Sequence, residues 1–332
     1  MLDGSVILVT GGTGSFGRTF AAQTLKRYNP AKIIIYSRDE MKQWEMAGEF
    51  DGEGRLRFFL GDVRDRERLR RACAEVDYIV HAAAGKIVPT AEYNPFEYIK
   101  TNVVGAMNLI DCAIDCGVKR VIALSTDKAC NPVNLYGATK LCADKLFIAG
   151  NNYCGSRQTR FAVVRYGNVM GSRGSIIPFF MKQARGGGEL TITDTRMTRF
   201  LLPLNKAVEL VWHALAASQG GEIFVRKCPS MKITDVARAI APGAAQRVVG
   251  IRPGEKLHEL MISAEDGTHT RHYDTHYTIM PEITMPAPPD HTVDPGDPVP
   301  EGFCYTSAHN DTWMSVGELQ EWLRTTYGWE GP

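Results

Sequence analysis

The segment Gly11-Gly-Thr-Gly-Ser-Phe-Gly17 follows directly on the apolar run Ser5-Val-Ile-Leu-Val-Thr10 and leads into residues 15–28, which read as helix. A strand that breaks into glycines and turns at once into a helix leaves few folds open. Glycines spaced GxxGxxG let the backbone approach a bound group closely and let the helix N-terminus face a negative charge. Between a strand and a helix, within the first twenty residues, this is the pyrophosphate turn of a dinucleotide-binding unit. Gly11, Thr13, Gly14, Ser15, Phe16 and Gly17 are its candidate contacts. A P-loop is excluded, because no Gly-Lys-Ser/Thr follows.

The rhythm set there continues. Short apolar runs recur at residues 32–36, 57–60, 78–81, 120–125 and 161–165, and helical stretches at 65–74, 95–116 and 136–150 separate most of them. Strand alternating with helix predicts an α/β fold with a Rossmann-type, doubly wound parallel sheet. The basic-looking segment 64–71 alternates Arg with acids at helical spacing and reads as a solvated helix face. After Arg165 the elements shorten and loops rich in Gly and Arg appear, at 171–175 and 186–188. The expected division is a dinucleotide-binding domain over residues 1–167 and a mainly substrate-binding lobe over 168–332, with residues 200–228 returning to the first domain. Six prolines at 286–300 mark an irregular or mobile connection. A last helix is expected at 315–327, with Ser315 and Glu318 as a capping box.

Bulk properties narrow the function classes. The 332 residues suffice for two lobes around a cleft, and 44% hydrophobic content supports a sizeable core. A net charge of +1 gives no reason to expect nucleic acid or an anionic membrane as partner. No apolar run approaches the roughly 18 residues of a membrane span. The chain enters a strand almost at once, so no signal peptide is expected. The eight cysteines are scattered without a CxxC, which suits reduced thiols in the cytoplasm.

The second strand ends in Ser37-Arg38, where an NAD-specific site usually carries an acid for the ribose 2′-hydroxyl. A hydroxyl and a guanidinium suit a 2′-phosphate instead, so NADP is the expected cofactor; Asp39 is the residue that argues the other way. Asp62 and Val63 end the third strand beside the expected adenine, and Ala82, Ala83 and Ala84 end the fourth, where small residues let the backbone run along the cofactor.

Thr126-Asp127-Lys128 stands eight residues ahead of Tyr136-Gly-Ala-Thr-Lys140. A Tyr and a Lys four apart share one helix face. The ammonium is expected to lower the phenol's pKa, so that the pair moves a proton on and off a sugar hydroxyl while a nicotinamide takes the hydride. Tyr136 would deprotonate a C4 hydroxyl, Lys140 would hold the nicotinamide ribose, and Thr126 would hydrogen-bond the C4 oxygen. The added acid and amine suggest an elimination: a 4-ketone makes the C5 proton acidic, Lys128 removes it, and Asp127 protonates the C6 hydroxyl so that water leaves. For this Lys128 must be neutral, and the Lys140 ammonium and a positive nicotinamide are expected to keep it so, near the roughly pKa 7–8 of tuned lysines.

The pattern as a whole resembles the extended short-chain dehydrogenase/reductase superfamily, carried by Gly11, Gly14, Gly17, Asp62, the run from Ala82 to Ala84, Thr101-Asn102, Tyr136 and Lys140. A closer resemblance, from Ser125-Thr-Asp-Lys-Ala129, Asn131-Pro132, Leu135-Tyr-Gly-Ala-Thr-Lys140, Arg165-Tyr-Gly-Asn168, Met197-Thr-Arg-Phe200 and Arg252-Pro-Gly-Glu-Lys256, is to the soluble UDP-N-acetylglucosamine 4,6-dehydratases that invert C5. It implies UDP-N-acetylglucosamine as partner, tightly bound NADP that is recycled, inversion at C5, a homo-oligomer, and Thr101 near the cofactor. It also implies that Lys86, Asn168, Arg199, Arg252 and Glu255 contact the substrate, with the two arginines clamping the pyrophosphate and Glu255 reaching a ribose hydroxyl. Gly85 and Ile87 depart from the pattern, which usually has a leucine and a polar residue there, with loop flexibility or sugar preference as the expected consequence. A 4-epimerase, a 4-ketoreductase and a non-catalytic NADP sensor remain as alternatives.

Other signals carry less. His269, His272 and His276 cluster, but the chemistry needs no metal. His258-Glu259 is no metalloprotease motif, since Ile262 stands where the second histidine would be. Cys130 has no paired histidine and reads as packing.

Overall fold

The computed structural model describes residues 1–172, 174–282 and 296–332. Arg173, in the expected Gly/Arg loop, and most of the proline-rich stretch lie outside the described residues. Six parallel strands form the heart of the molecule: β1 (Val6–Thr10), β2 (Lys32–Ser37), β3 (Leu56–Leu60), β4 (Tyr78–His81), β5 (Arg120–Leu124) and β6 (Arg160–Arg165). Their spatial order is β3-β2-β1-β4-β5-β6. The order reverses between β1 and β4, so a crevice opens there at the carboxyl ends of the strands, where open α/β sheets hold their ligands. Most of these strands are apolar on both faces because helices cover both sides.

One face is packed by α3 (Arg66–Cys73), α6 (Gly105–Asp115) and α7 (Leu135–Gly150) through Leu69, Ala113 and Phe147; the other is packed by α1 (Ser15–Arg27) through Phe20 and Ala21 and by the helix Leu204–Ala217 through Val211 and Leu215. Between α1 and α3 lies α2 (Glu40–Glu49), and α4 (Val88–Tyr93) and α5 (Pro95–Tyr98) follow β4. In α3, Leu69, Ala72 and Cys73 face inward while Arg66 reaches Asp111 at 3.2 Å, a solvated charged face. The stretch expected as one helix over 95–116 runs without interruption from Pro95 to Asp115, but residues Ile99–Val104 widen into a π-helical segment between α5 and α6.

Beyond β6 the chain alternates between two places. Strand Ile223–Arg226 pairs parallel with β6, and His276–Ile279, Thr270–His272 and Asp297–Pro298 extend the sheet antiparallel. The remaining elements build a smaller lobe with its own core of Phe180, Ile192, Met231, Ile240 and Leu323. Its closing helix, Val316–Tyr327, is capped reciprocally by Ser315 and Glu318.

Candidate functional site

The glycine turn has the geometry a pyrophosphate needs. Gly11 has φ +65°, and a Cβ there would lie 2.7 Å from the Ala83 nitrogen and 2.8 Å from the Ala82 carbonyl. A Cβ on Gly17 would run into the Gly12 carbonyl, so α1 begins hard against the turn and points its free N–H groups into the crevice. Gly14 is the N-cap and Ser15 and Phe16 open the helix. The Thr13 hydroxyl donates to Ser37 Oγ (3.2 Å), joining the turn to the end of β2. These residues fit a bound dinucleotide.

Ser37 is buried and also accepts from Gln43 Nε2 (3.3 Å). Arg38 is exposed, 3.6 Å from Asp62. Asp39 is committed elsewhere: it caps α2 by accepting from the Lys42 N–H (3.0 Å) and meets Lys42 Nζ at 2.5 Å. Asp62 is held by Arg64 at 2.7 Å; although burial opposes it, the hydrogen bonds and charge of Arg64, with Arg38, keep its pKa below the usual carboxylate value. Val63 is buried under α6, and Ala82 and Ala83 pass beside the glycine turn, with Ala84 next and exposed. Thr101 lies in the π-helical turn. Its neighbour Asn102 clamps the loop after β4, accepting from the Gly85 N–H (2.8 Å) and donating to the Gly85 carbonyl (3.0 Å). Tyr98 Oη bonds both the N–H and the carbonyl of Ile87, and a Cβ at Gly85 would meet the Tyr98 ring at 2.8 Å. This loop is therefore pinned at both departing positions.

Asn134 starts α7 by accepting from the Gly137 N–H (2.7 Å), which sets Tyr136 and Lys140 on its first two turns, both buried. Gly137 packs so tightly on the preceding loop that a Cβ would strike the Lys128 carbonyl. The expected lowering of Tyr136 by Lys140 is corrected by the surroundings. Burial pushes the phenol up to about 12, and the groups that pull it down are Lys128 and the Thr126 hydroxyl. Burial lowers Lys140, with Asp144 opposing.

Thr126, Asp127 and Lys128 follow β5 on a short 3-10 turn over Asp127–Ala129. Thr126 Oγ1 donates to Asp127 Oδ1 (3.0 Å), and Lys128 Nζ lies 3.1 Å from the same oxygen. Burial, then the nearby Glu259 charge, raises the pKa of Asp127, and its second oxygen is buried without a hydrogen-bond partner. Lys128 departs from expectation. Burial pulls its pKa down, but Asp127 and Glu259 outweigh burial and hold it above the ordinary lysine value. The cation that opposes them is Arg199, from the other lobe.

Glu259 is the residue sequence reasoning missed. It comes from the other lobe, is 2% exposed, and meets Lys128 Nζ at 3.0 Å and Arg199 Nε at 3.5 Å. Its one signal in the sequence is its place three residues past the Arg252-Pro-Gly-Glu-Lys256 block.

A cleft of about 460 Å³ lies between the lobes, lined among others by Lys128, Asn168, Arg199, Arg252, Glu255 and Glu259. Asn168 Oδ1 is buried without a hydrogen-bond partner. Arg252 is exposed, with Glu255 at 3.9 Å. Arg199 is not the free clamp expected: its guanidinium is spent on the carbonyls of Thr198 (2.7 Å), Lys256 (3.1 Å) and Leu257 (3.2 Å), besides Glu259. Lys86 is exposed after β4. The loop that carries Arg252 and Glu255 is fastened to the segment between Lys128 and α7 twice, by Asn134 Nδ2 to the Gly254 carbonyl (2.7 Å) and by Lys256 Nζ to the Cys130 carbonyl (2.5 Å).

A sequence profile described as polysaccharide biosynthesis protein matches residues 7–281. The chain belongs to this family. Its fold and motifs are those of the extended short-chain dehydrogenase/reductases. The UDP-N-acetylglucosamine 4,6-dehydratase (inverting) of Campylobacter jejuni is 54% identical over 334 residues, 99% of this chain and 100% of that protein. The UDP-glucose 4-epimerase of Rickettsia akari is 44% identical over 273 residues, 80% of each chain. Among solved structures, DesIV, a dTDP-glucose 4,6-dehydratase from Streptomyces venezuelae with NAD and TYD bound, is 27% identical with a TM-score of 0.68, covering 76% of this chain and 86% of that one.

Among the described residues no group of three His, Cys, Asp or Glu side chains is placed to hold a metal, and no helix is long and apolar enough to cross a membrane. His276 stacks on Tyr273 (4.6 Å), and His272 Nε2 is 2.6 Å from Lys227 Nζ.

Proposed function

We propose that this chain is a UDP-N-acetylglucosamine 4,6-dehydratase that inverts C5 and forms UDP-2-acetamido-2,6-dideoxy-L-arabino-hexos-4-ulose, a precursor for nonulosonic acids or surface glycans. The observation that carries the reading is the juxtaposition of the Asp127–Lys128 turn with the first turn of α7, so that half-buried Thr126 and Lys128 interact with buried Asp127 and Tyr136 in one cluster. The likeness to the inverting dehydratase of Campylobacter jejuni over essentially the whole of both chains supports it. When bound, NADP+ supplies the hydride acceptor for C4 and returns the hydride to C6. Tyr136 takes the C4 hydroxyl proton, Thr126 hydrogen-bonds the C4 oxygen, and Lys140 orients the cofactor ribose. Asp127, whose raised pKa suits a proton donor, protonates the departing C6 hydroxyl, and Lys128 removes the C5 proton. Arg252 grips the diphosphate, with Lys86, Asn168 and Glu255 as further contacts, while Arg199 shapes the cleft floor.

Ser37 and Arg38 at the end of β2, with Asp39 engaged by Lys42, support NADP as the cofactor rather than NAD. Residues 1–167 serve as the cofactor domain and 168–332 mainly as the substrate lobe. The exposed side chains of Tyr93, Phe96 and Met107 suit burial in a homo-oligomer. The cytoplasm, where nucleotide sugars are made, is the proposed location.

The Rickettsia akari relative favours one alternative, a nucleotide-sugar 4-epimerase. Neither an elimination acid nor a C5 base is needed for that reaction. Incubation with UDP-N-acetylglucosamine in deuterated water, followed by proton NMR, separates the two. The dehydratase gives a 6-deoxy-4-keto sugar with deuterium at C5, and its couplings report the inversion. A 4-epimer lacking deuterium at C5 would refute it.

A further inference from the structure

Gln43, in the first turn of α2, has no part in the roles assigned above. It is buried, although glutamine is a residue mostly left at the surface. Its neighbours fix which way its amide points. Nε2 donates to two backbone carbonyls, those of Ser37 (3.0 Å) and Phe59 (3.1 Å), and a carbonyl can only accept. The same nitrogen lies 3.3 Å from Ser37 Oγ. Gln43 thus ties the ends of the paired strands β2 and β3 to α2. The helix is docked independently as well. Arg18 donates from Nε to the Thr13 carbonyl (3.2 Å) and from Nη2 to the Lys42 carbonyl (3.2 Å), which fastens α2 to the glycine turn next to Gln43.

A serine hydroxyl has one hydrogen to donate and two lone pairs to accept with. At Ser37 both accepting positions are taken, one by the Thr13 hydroxyl (3.2 Å) and one by Gln43 Nε2. Among the described residues no acceptor is placed for its own hydrogen. A hydroxyl in that state meets a ligand only as a donor. The ribose 2′-hydroxyl of NAD brings a hydrogen of its own, and Ser37 has no lone pair left for it. A 2′-phosphate brings acceptors alone, and it would meet the Ser37 donor together with the exposed guanidinium of Arg38. We propose that Gln43 is a positioning residue for cofactor choice: by occupying one lone pair of Ser37 it makes that hydroxyl a donor for a ribose 2′-phosphate, and so favours NADP over NAD. The inference rests on the NADP reading. Gln43 acts through Ser37, not by contact with the cofactor.

The test is a calorimetric titration of the cofactor-stripped protein with NADP and with NAD. It is run on the parent, Gln43→Met, Ser37→Ala and the double variant. Methionine keeps the length of glutamine and removes the donor. Ser37→Ala is expected to lose about tenfold in NADP affinity, the scale of one charge-assisted hydrogen bond, with NAD affinity unchanged. Gln43→Met is expected to lose about fivefold for NADP alone, because the hydroxyl is then free to turn. The double variant should fall no further than Ser37→Ala, since Gln43 has nothing to act on once the hydroxyl is gone. A Met variant that weakens NADP and NAD alike would show a merely structural role and overturn the proposal. Losses that multiply in the double variant, to about fiftyfold, would do the same, because Gln43 would then act apart from Ser37. An unchanged preference in Ser37→Ala would overturn it without any Gln43 variant having to fold. A parent that binds NAD as tightly as NADP defeats the NADP reading itself, a failure seen before any variant is made.

Discussion

Replacing Asn134 separates two tasks that one side chain performs. Its Oδ1 caps α7 through the Gly137 N–H at 2.7 Å, and its Nδ2 holds the Gly254 carbonyl at 2.7 Å, in the loop that carries Arg252 and Glu255. Removing an N-cap costs about 1 kcal/mol. Losing one further hydrogen bond between lobes costs about 1 kcal/mol more. Asn134→Ala loses both and is expected to fall by about 2 kcal/mol. Asn134→Ser keeps a good cap but is too short to reach Gly254, so it falls by about 1 kcal/mol. Urea unfolding of the two variants beside the parent, compared through midpoints at constant slope, reads these differences. In both variants the substrate loop loses the same fastening, and KM for UDP-N-acetylglucosamine rises about fivefold, the equivalent of about 1 kcal/mol. The reasoning fails if Ser is as destabilising as Ala, which would leave nothing for the cap. It fails equally if KM is unchanged in both, which would make the Gly254 contact irrelevant to the substrate loop.

Three further outcomes are expected. Lys128→Ala should still reduce the cofactor on sugar addition but lose deuterium entry at C5, and Asp127→Asn should slow water loss; turnover near the parent rate in either would remove that residue from its role. Arg38→Ala should weaken the preference for NADP over NAD by about tenfold, on the order of 1.4 kcal/mol for one charge-assisted contact, measured by cofactor titration of the stripped protein. His276, pushed down to about 4 by burial and then by His213 and Arg226, binds fewer protons folded than unfolded. Stability from this group is therefore lost as pH falls below about 6.5 toward 4, and His276→Phe should flatten the acid side of a plot of unfolding midpoint against pH. An unchanged slope would show that other groups govern it.

The features that were legible in the sequence are those whose cause is local. The glycines of the first turn are required by backbone contacts a few residues away, and Tyr136 and Lys140 share a face by helical spacing alone. The helix α2 was not legible because its apolar residues do not form a stripe: Met41 and Trp44 are exposed while Gln43 and Met46 are buried. The π-helical turn at Ile99–Val104 carries no breaker residue, so 95–116 read as one helix. The charge of Lys128 was misjudged because one of the two carboxylates that hold it, Glu259, lies 131 residues along the chain and reaches it from the other lobe. For the same reason Arg199 looked like a ligand clamp, whereas its donors are satisfied by carbonyls of the neighbouring loop. Spacing exposes partners on one element; it is silent on partners brought together by topology.

The absence of a side chain at Gly137 has a consequence for how this architecture can change. The first turn of α7 and the Lys128 carbonyl touch there, with no room for even a methyl group between them. Tyr136 and Lys128, the groups proposed to act at C4 and C5, are thereby mounted on one block. A mutation elsewhere cannot slide one relative to the other by an ångström without opening that contact. New sugar preferences are thus more accessible through loops that line the cleft, such as the one holding Arg252 and Glu255, than through respacing of the block itself.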